Sequence, residues 1–226
     1  MKKIALISLM YLFILNNNLL FAHEDKVIHP KITETAAINS TLDSNLKNNL
    51  NFANGIKTKL PSNGGMFILE WLKEGSTAED SPMCRASNHF HDPTKPWISA
   101  AMSDSPWWID YLACRSYTPY SSTVTWATGF TSLTSTPIPY DPNNIKSPNV
   151  WGKARNNYYQ ALTAATQIDR ETYFAQTFLA LGQVLHLIQD MSVPAHVRND
   201  FRSHLNSPLK ARRSFYTFHK TSKEAT

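Results

Sequence analysis

The sequence is short of several things, and each shortage closes off a class of protein. Among 226 residues there are only two cysteines, Cys84 and Cys114, and seven glycines. No glycine-rich phosphate loop, no Gly-x-Ser-x-Gly turn and no His-Glu-x-x-His pair occurs. The local signatures of nucleotide cradles, serine hydrolases and the commonest zinc proteases are therefore missing. No unit of about 20–50 residues repeats and no heptads run, which removes solenoids and coiled coils. The two cysteines lack the close spacing of a metal pair. An oxidising compartment would permit them to pair, and two free thiols would leave the same trace. Charged residues make up 17% of the chain and hydrophobic ones 42%, which is too apolar for wholesale disorder. The length suits one medium domain, or a domain with a tail.

A single long apolar run is present, and it stands at the start. Met1-Lys2-Lys3 is basic, Ile4 to Leu15 is apolar, Asn16-Asn17-Asn18 interrupts, and Leu19-Leu20-Phe21-Ala22 follows. This is the pattern of a secretory signal peptide over residues 1–22, cut after Ala22. The run is short for a membrane span, and no second segment is apolar enough for one. The expected product begins at His23 and is secreted or periplasmic.

The net charge of +5 is unevenly placed. Residues 23–196 carry 13 basic and 15 acidic groups, whereas residues 197–226 carry 7 and 2. Basicity belongs to the tail. The body, at −2, is no nucleic-acid glove, and no stable nucleic-acid partner is expected.

Coarse periodicity reads as all-α. An apolar stripe from Thr33 through Leu42, Leu46, Leu50 and Phe52 predicts a helix. Pro61-Ser62-Asn63-Gly64-Gly65 breaks the chain, and Met66 to Lys73 predicts a short amphipathic helix ended by Gly75. Between residues 92 and 150 lie eight of the thirteen prolines together with Trp97, Trp107, Trp108 and Trp126. That segment is expected to be a long, irregular, ordered insertion, with a short hairpin around Tyr120 to Leu133. Lys153 to Thr166 predicts a helix burying Ala154, Tyr158, Ala161, Leu162 and Ala165. Asp169 then caps a helix running to about Met191, before Pro194. That helix is apolar nearly all round, which places it in the middle of the domain.

The chemistry-bearing residues cluster around this last helix. His186 and Asp190, four apart, project from one face, and Gly182 one turn earlier leaves room beside them. Imidazole nitrogen and carboxylate oxygen are both zinc ligands, although a hydrogen-bonded core pair has the same spacing. Pro194 turns the chain just beyond, which can bring His196 back to the same face. Upstream, Glu79-Asp80 precedes Asn88-His89-Phe90-His91-Asp92-Pro93, and His29 adds another imidazole. His91 reads as an outer or surface histidine, Asp92 as a turn former, and Asn88 as an orienting or capping group.

Asp80, His89, His186, Asp190 and His196 together resemble the zinc-dependent phospholipase C / S1-P1 nuclease family, here a bacterial secreted member. Leu181 to Asn199 resembles the family's central signature, and Asn88 to Pro93 the shorter upstream motif. The resemblance implies a mostly helical phospholipase C/P1 nuclease-like domain over residues 23–200 and up to three Zn2+ ions. One zinc would be held by Asp80, His89, His186 and Asp190. Asp190 would bridge to a second, bound also by His29 and by the main-chain amine and carbonyl of the new terminus, His23. His196 would serve the third. The resemblance departs at the end. The family places a further histidine, then a carboxylate four residues on; here His204 and His219 are followed at that distance by Pro208 and Lys223. The third site looks incomplete, and residues 201–226 form a basic, poorly matched tail of the kind a truncated or altered reading frame leaves.

The implied activity is hydrolysis of a phosphate ester, lipid or nucleotide. Water made acidic by the metal attacks phosphorus, and Asp80 orients or deprotonates it. A phospholipase C-like enzyme, in transient contact with a membrane surface, would use Trp97, Trp107, Trp108 and Trp126 as an apolar lip. A P1-type nuclease would stack bases on them. A degenerate zinc-binding domain without turnover would share every upstream motif.

Overall fold

The computed structural model describes residues 26–61, 64–107, 110, 114–144 and 146–202. The expected signal peptide, His23, Trp108, His204 and His219 lie outside them. The described residues belong to one unit, Asp25–Arg202, and its regular structure is mostly helical.

Helix α1 (Ile28–Asn39) carries Pro30 in its first turn, where no intrahelical N–H is required. It stops at Ser40, and α2 (Leu42–Asn49) follows. The stripe read as one helix is thus two, because the Ser40 hydroxyl takes the Leu42 N–H and accommodates a turn between them. A two-residue antiparallel ladder then pairs β1 (Lys59–Leu60) with β2 (Met66–Phe67), in the register Lys59 to Phe67 and Leu60 to Met66. Met66 and Phe67 are therefore strand. Helix α3 (Ile68–Ala78) begins after them and runs through Gly75.

A 3-10 turn over Met83–Asn88 delivers the chain to His89. The proline-rich segment is irregular as expected, but the hairpin is replaced by α4 (Thr123–Thr128). Ser122 caps that helix by accepting from the Thr125 N–H, and Gly129 closes it with a φ of 78°, open to glycine without strain. Helix α5 (Val150–Thr163) is capped by Asn149, whose side chain accepts from the Gly152 N–H. Ala154 and Ala161 are buried as predicted, but Tyr158, Leu162 and Ala165 are exposed. Helix α6 (Gln167–Asp190) is capped by Thr166, with Asp169 in its first turn. Pro194 opens the single turn of α7 (Pro194–Val197).

The long helix α6 packs against both α3 and α5. Its Phe174 and Phe178 join Leu46, Leu60, Ile68, Trp71 and Leu72 in the largest core cluster. Cys84 and Cys114 are joined in a disulfide, in a second cluster with Phe90, Met102 and Phe201. No helix among the described residues is long and apolar enough to cross a membrane.

Candidate metal centre

The site begins with a helix crossing. A β-carbon on Gly182 would collide with the Leu72 carbonyl and stand 2.9 Å from the Gly75 Cα; one on Gly75 would collide with the Leu179 carbonyl. The space beside Gly182 is therefore filled by the backbone of α3, not left for a ligand. This close approach puts the Ser76 carbonyl oxygen 2.6 Å from His186 Nδ1. A carbonyl only accepts, so Nδ1 carries the proton and Nε2 presents its lone pair on the far side.

The same device recurs. His29 Nδ1 donates to Gln189 Oε1 at 2.8 Å, and the Gln189 amide is itself held by donating to Thr33 Oγ1 at 2.9 Å. His196 Nδ1 donates to the His89 carbonyl at 2.9 Å, and its ring stacks on Phe90, centroids 4.6 Å apart. The turn at Pro194 is what brings it there. Three imidazoles from three segments thus have Nδ1 fixed on an oxygen and Nε2 turned towards Asp190. Outer acceptors of this kind orient metal-binding histidines.

Asp190 is the common partner. Its Oδ2 lies 2.9 Å from His89 Nδ1 and 3.1 Å from His186 Nε2. Its Oδ1 lies 3.5 Å from His29 Nε2 and 3.9 Å from His196 Nε2. Asp80 Oδ1 adds contacts at 3.4 Å to His89 Nδ1 and 3.5 Å to His186 Nε2, and the two histidine nitrogens are 3.2 Å apart. All four histidines are buried, as is Asp190. Asp80 is the open member, its side chain 23% exposed.

Two ligand sets emerge, Asp80–His89–His186 and His29–His186–Asp190. Zinc at about 2.0–2.1 Å from each of four tetrahedral ligands requires ligand–ligand edges of about 3.3 Å. Among Asp80, His89, His186 and Asp190, every pair that includes a histidine lies between 2.9 and 3.5 Å. These residues fit a small divalent cation in spacing, donor type and burial.

The electrostatics follow from the crowding. Burial alone would lower the His89 pKa, but the carboxylates of Asp190 and Glu79 beside its ring outweigh that and raise it to about 10. His186 moves upward by the same competition, burial against Asp190. Burial would raise Asp190, yet its bonds to His186 and His89 hold it well below the usual carboxylate value. Proton and metal therefore compete for the same nitrogens.

The remaining candidates divide. His91 is buried rather than superficial, and burial lowers its pKa. Its backbone N–H binds the His196 carbonyl, while its Nδ1 has no hydrogen-bond partner. Asp92 forms the expected turn by accepting from the Thr94 N–H and hydroxyl. Asn88 accepts from the Ser121 N–H and ties down the insertion. Trp126 is buried in the interior, which removes it from any cleft lip, whereas Trp107 is 73% exposed. Glu79 has no sequence signal beyond its place next to Asp80, yet it is fully buried and bonded to Arg85 and Trp126. Searches against protein-family models, curated proteins and solved structures find no match to this chain.

Proposed function

We propose that the chain is a secreted zinc-dependent phosphodiester hydrolase with a phospholipase C/P1 nuclease-like fold, acting in the phospholipase C manner. The observation that carries this reading is the set of near-tetrahedral spacings around His89 and His186, with Asp190 presenting its second oxygen to His29 and His196. A bridging carboxylate is the usual means of holding two cations close enough to share a phosphate. The bond between Cys84 and Cys114 suits an oxidising compartment, secreted or periplasmic.

Zinc bound there would supply Lewis acidity towards phosphate oxygens and a water that ionises near pH 7. The chain's own residues do the rest. Asp190 sets the spacing of the two ligand groups. The carbonyl-anchored imidazoles keep their lone pairs aimed inward. Asp80, the member open to solvent, stands where water and substrate enter, and its carboxylate takes the proton of the attacking water. Exposed Trp107 and half-exposed Trp97 offer apolar surface to a lipid or a base.

One observation favours a second reading, a zinc-binding domain without turnover. Beyond His196 no histidine is followed by a carboxylate four residues later, so a third ligand set has one residue only. The discriminating experiment measures zinc per chain and hydrolysis of bis(4-nitrophenyl) phosphate, phosphatidylcholine vesicles and single-stranded DNA. Wild type is set beside a His186→Ala, Asp190→Ala double variant. Two or three zincs with turnover, both lost in the double variant, support the hydrolase. Zinc without turnover supports the second reading, and no specific zinc ends both.

A further inference from the structure

His89 differs from the other three histidines in what stands behind it. His29, His186 and His196 lean on neutral carbonyl oxygens. His89 instead turns Nδ1 into the cluster, and its Nε2 lies 3.6 Å from Glu79 Oε1. That nitrogen is buried and makes no hydrogen bond, which leaves the Glu79 carboxylate as the acceptor it faces. The same Glu79 oxygen accepts the Trp126 Nε1–H at 2.7 Å. Its other oxygen accepts from Arg85 Nη2 at 2.6 Å, and Arg85 Nε donates to the Glu79 backbone carbonyl at 3.2 Å. The guanidinium also sits over the Trp126 ring, 5.0 Å from its centroid.

An inward carboxylate of this kind is costly to bury, and one arginine would satisfy it closer to the surface. Its position is explained by what it faces. An anion beside Nε2 favours the tautomer protonated there and leaves the lone pair on Nδ1. We propose that Glu79, clamped by Arg85 and Trp126, is a positioning residue that takes the Nε2–H of His89 and thereby aims Nδ1 at the cation held with Asp80, His186 and Asp190. This role rests on the metal reading above. It also makes His89 the most electron-rich imidazole of the set, because its outer partner alone is charged. Asp80 is the next residue in the chain, so one short segment supplies a ligand and the brace of another.

The test uses zinc-loaded protein with 15N-labelled histidine, and zinc affinity measured by chelator competition. Wild type is expected to show His89 coordinated through Nδ1, with its Nε2 proton shifted downfield by a carboxylate. Glu79→Gln keeps the volume and loses the charge; it is expected to weaken zinc about 10- to 100-fold and to lose the downfield signal. Glu79→Asp is expected to recover part of both. A purely structural Glu79 would lower thermal stability yet leave the His89 ring signals unmoved, and that result overturns the proposal. So does coordination of His89 through Nε2 in wild type, which is read whether or not the variants fold. Wild type that binds no zinc overturns the metal reading itself; zinc bound equally tightly by wild type and Glu79→Gln overturns the role of Glu79 alone.

Discussion

Gly182 and Gly75 face each other where α6 crosses α3, so closely that a β-carbon on Gly182 would stand 2.9 Å from the Gly75 Cα. The approach sets the distance from the Ser76 carbonyl to His186 Nδ1 at 2.6 Å. A packing detail thereby fixes the proton on a cluster residue. Gly182→Ala should cost about 1–3 kcal/mol, since the neighbouring atoms are backbone and cannot move aside. Denaturant unfolding of metal-stripped protein reads that cost. Chelator competition should show weaker zinc binding in the same variant. A variant as stable as wild type would mean the helices separate freely.

The two oxygens of Asp190 serve different histidines, so single variants should remove metal selectively. His89→Ala should lose the ion shared with Asp80 and keep the one near His29. His29→Ala should do the reverse, and Asp190→Ala should lose both. Elemental analysis after gel filtration distinguishes these outcomes. Equal loss from His29→Ala and His89→Ala would point to a single cation.

Metal-stripped protein should respond to pH in a set direction. His89, at about 10, and His186 hold protons more tightly in the folded state than the ordinary 6.5. Their contribution is complete below about 6.5 and is lost as pH rises towards 10. Asp190, held below the ordinary 3.8, contributes above that value and loses its effect as pH falls further. The melting temperature without metal should therefore decline between about pH 6.5 and 10. With zinc, the added stability should grow with pH over its lower part, because protons compete with the metal. A metal-free melting temperature that climbs with pH would contradict the protonation described.

Cys84 and Cys114 close a loop with a sequence separation of 30. Replacing both by serine should cost about 3–4 kcal/mol, from restored freedom of the unfolded chain. Because Cys84 lies in the 3-10 turn leading to His89, the substitution should also weaken zinc. An unchanged affinity would show that Arg85 and Asn88 hold that turn unaided.

Much of this was legible because helices announce themselves locally. The boundaries near Met191 and Pro194 followed from a proline that cannot continue a helix. The pairing of His186 with Asp190 followed from the helical repeat, and His196 from the turn beyond it. What escaped was set by neighbours distant in the chain. Gly75 reads as a helix end, and only the backbone of α6 lying against it explains why it sits mid-helix. Tyr158 and Leu162 share a stripe with Ala154 and Ala161, but α6 buries only the small residues, and Tyr158 meets it just at the ring edge of Phe174. Glu79 carries no signal alone, since its partners Arg85, His89 and Trp126 stand at separations that no local repeat generates. Whether the two cysteines pair was likewise a question of proximity, which spacing leaves open.

The cluster gathers residues from His29 in the first described helix to His196 in the last, so its assembly has an order in time. During synthesis Asp80, His89 and His186 wait for Asp190 at the very end of α6, and His196 joins them only with α7. A nascent polypeptide therefore cannot trap a cation in this arrangement before the last turn of α6 is made. A single proteolytic cut releasing the segment after α6 would take His196 away and unlock the His89 carbonyl it leans on.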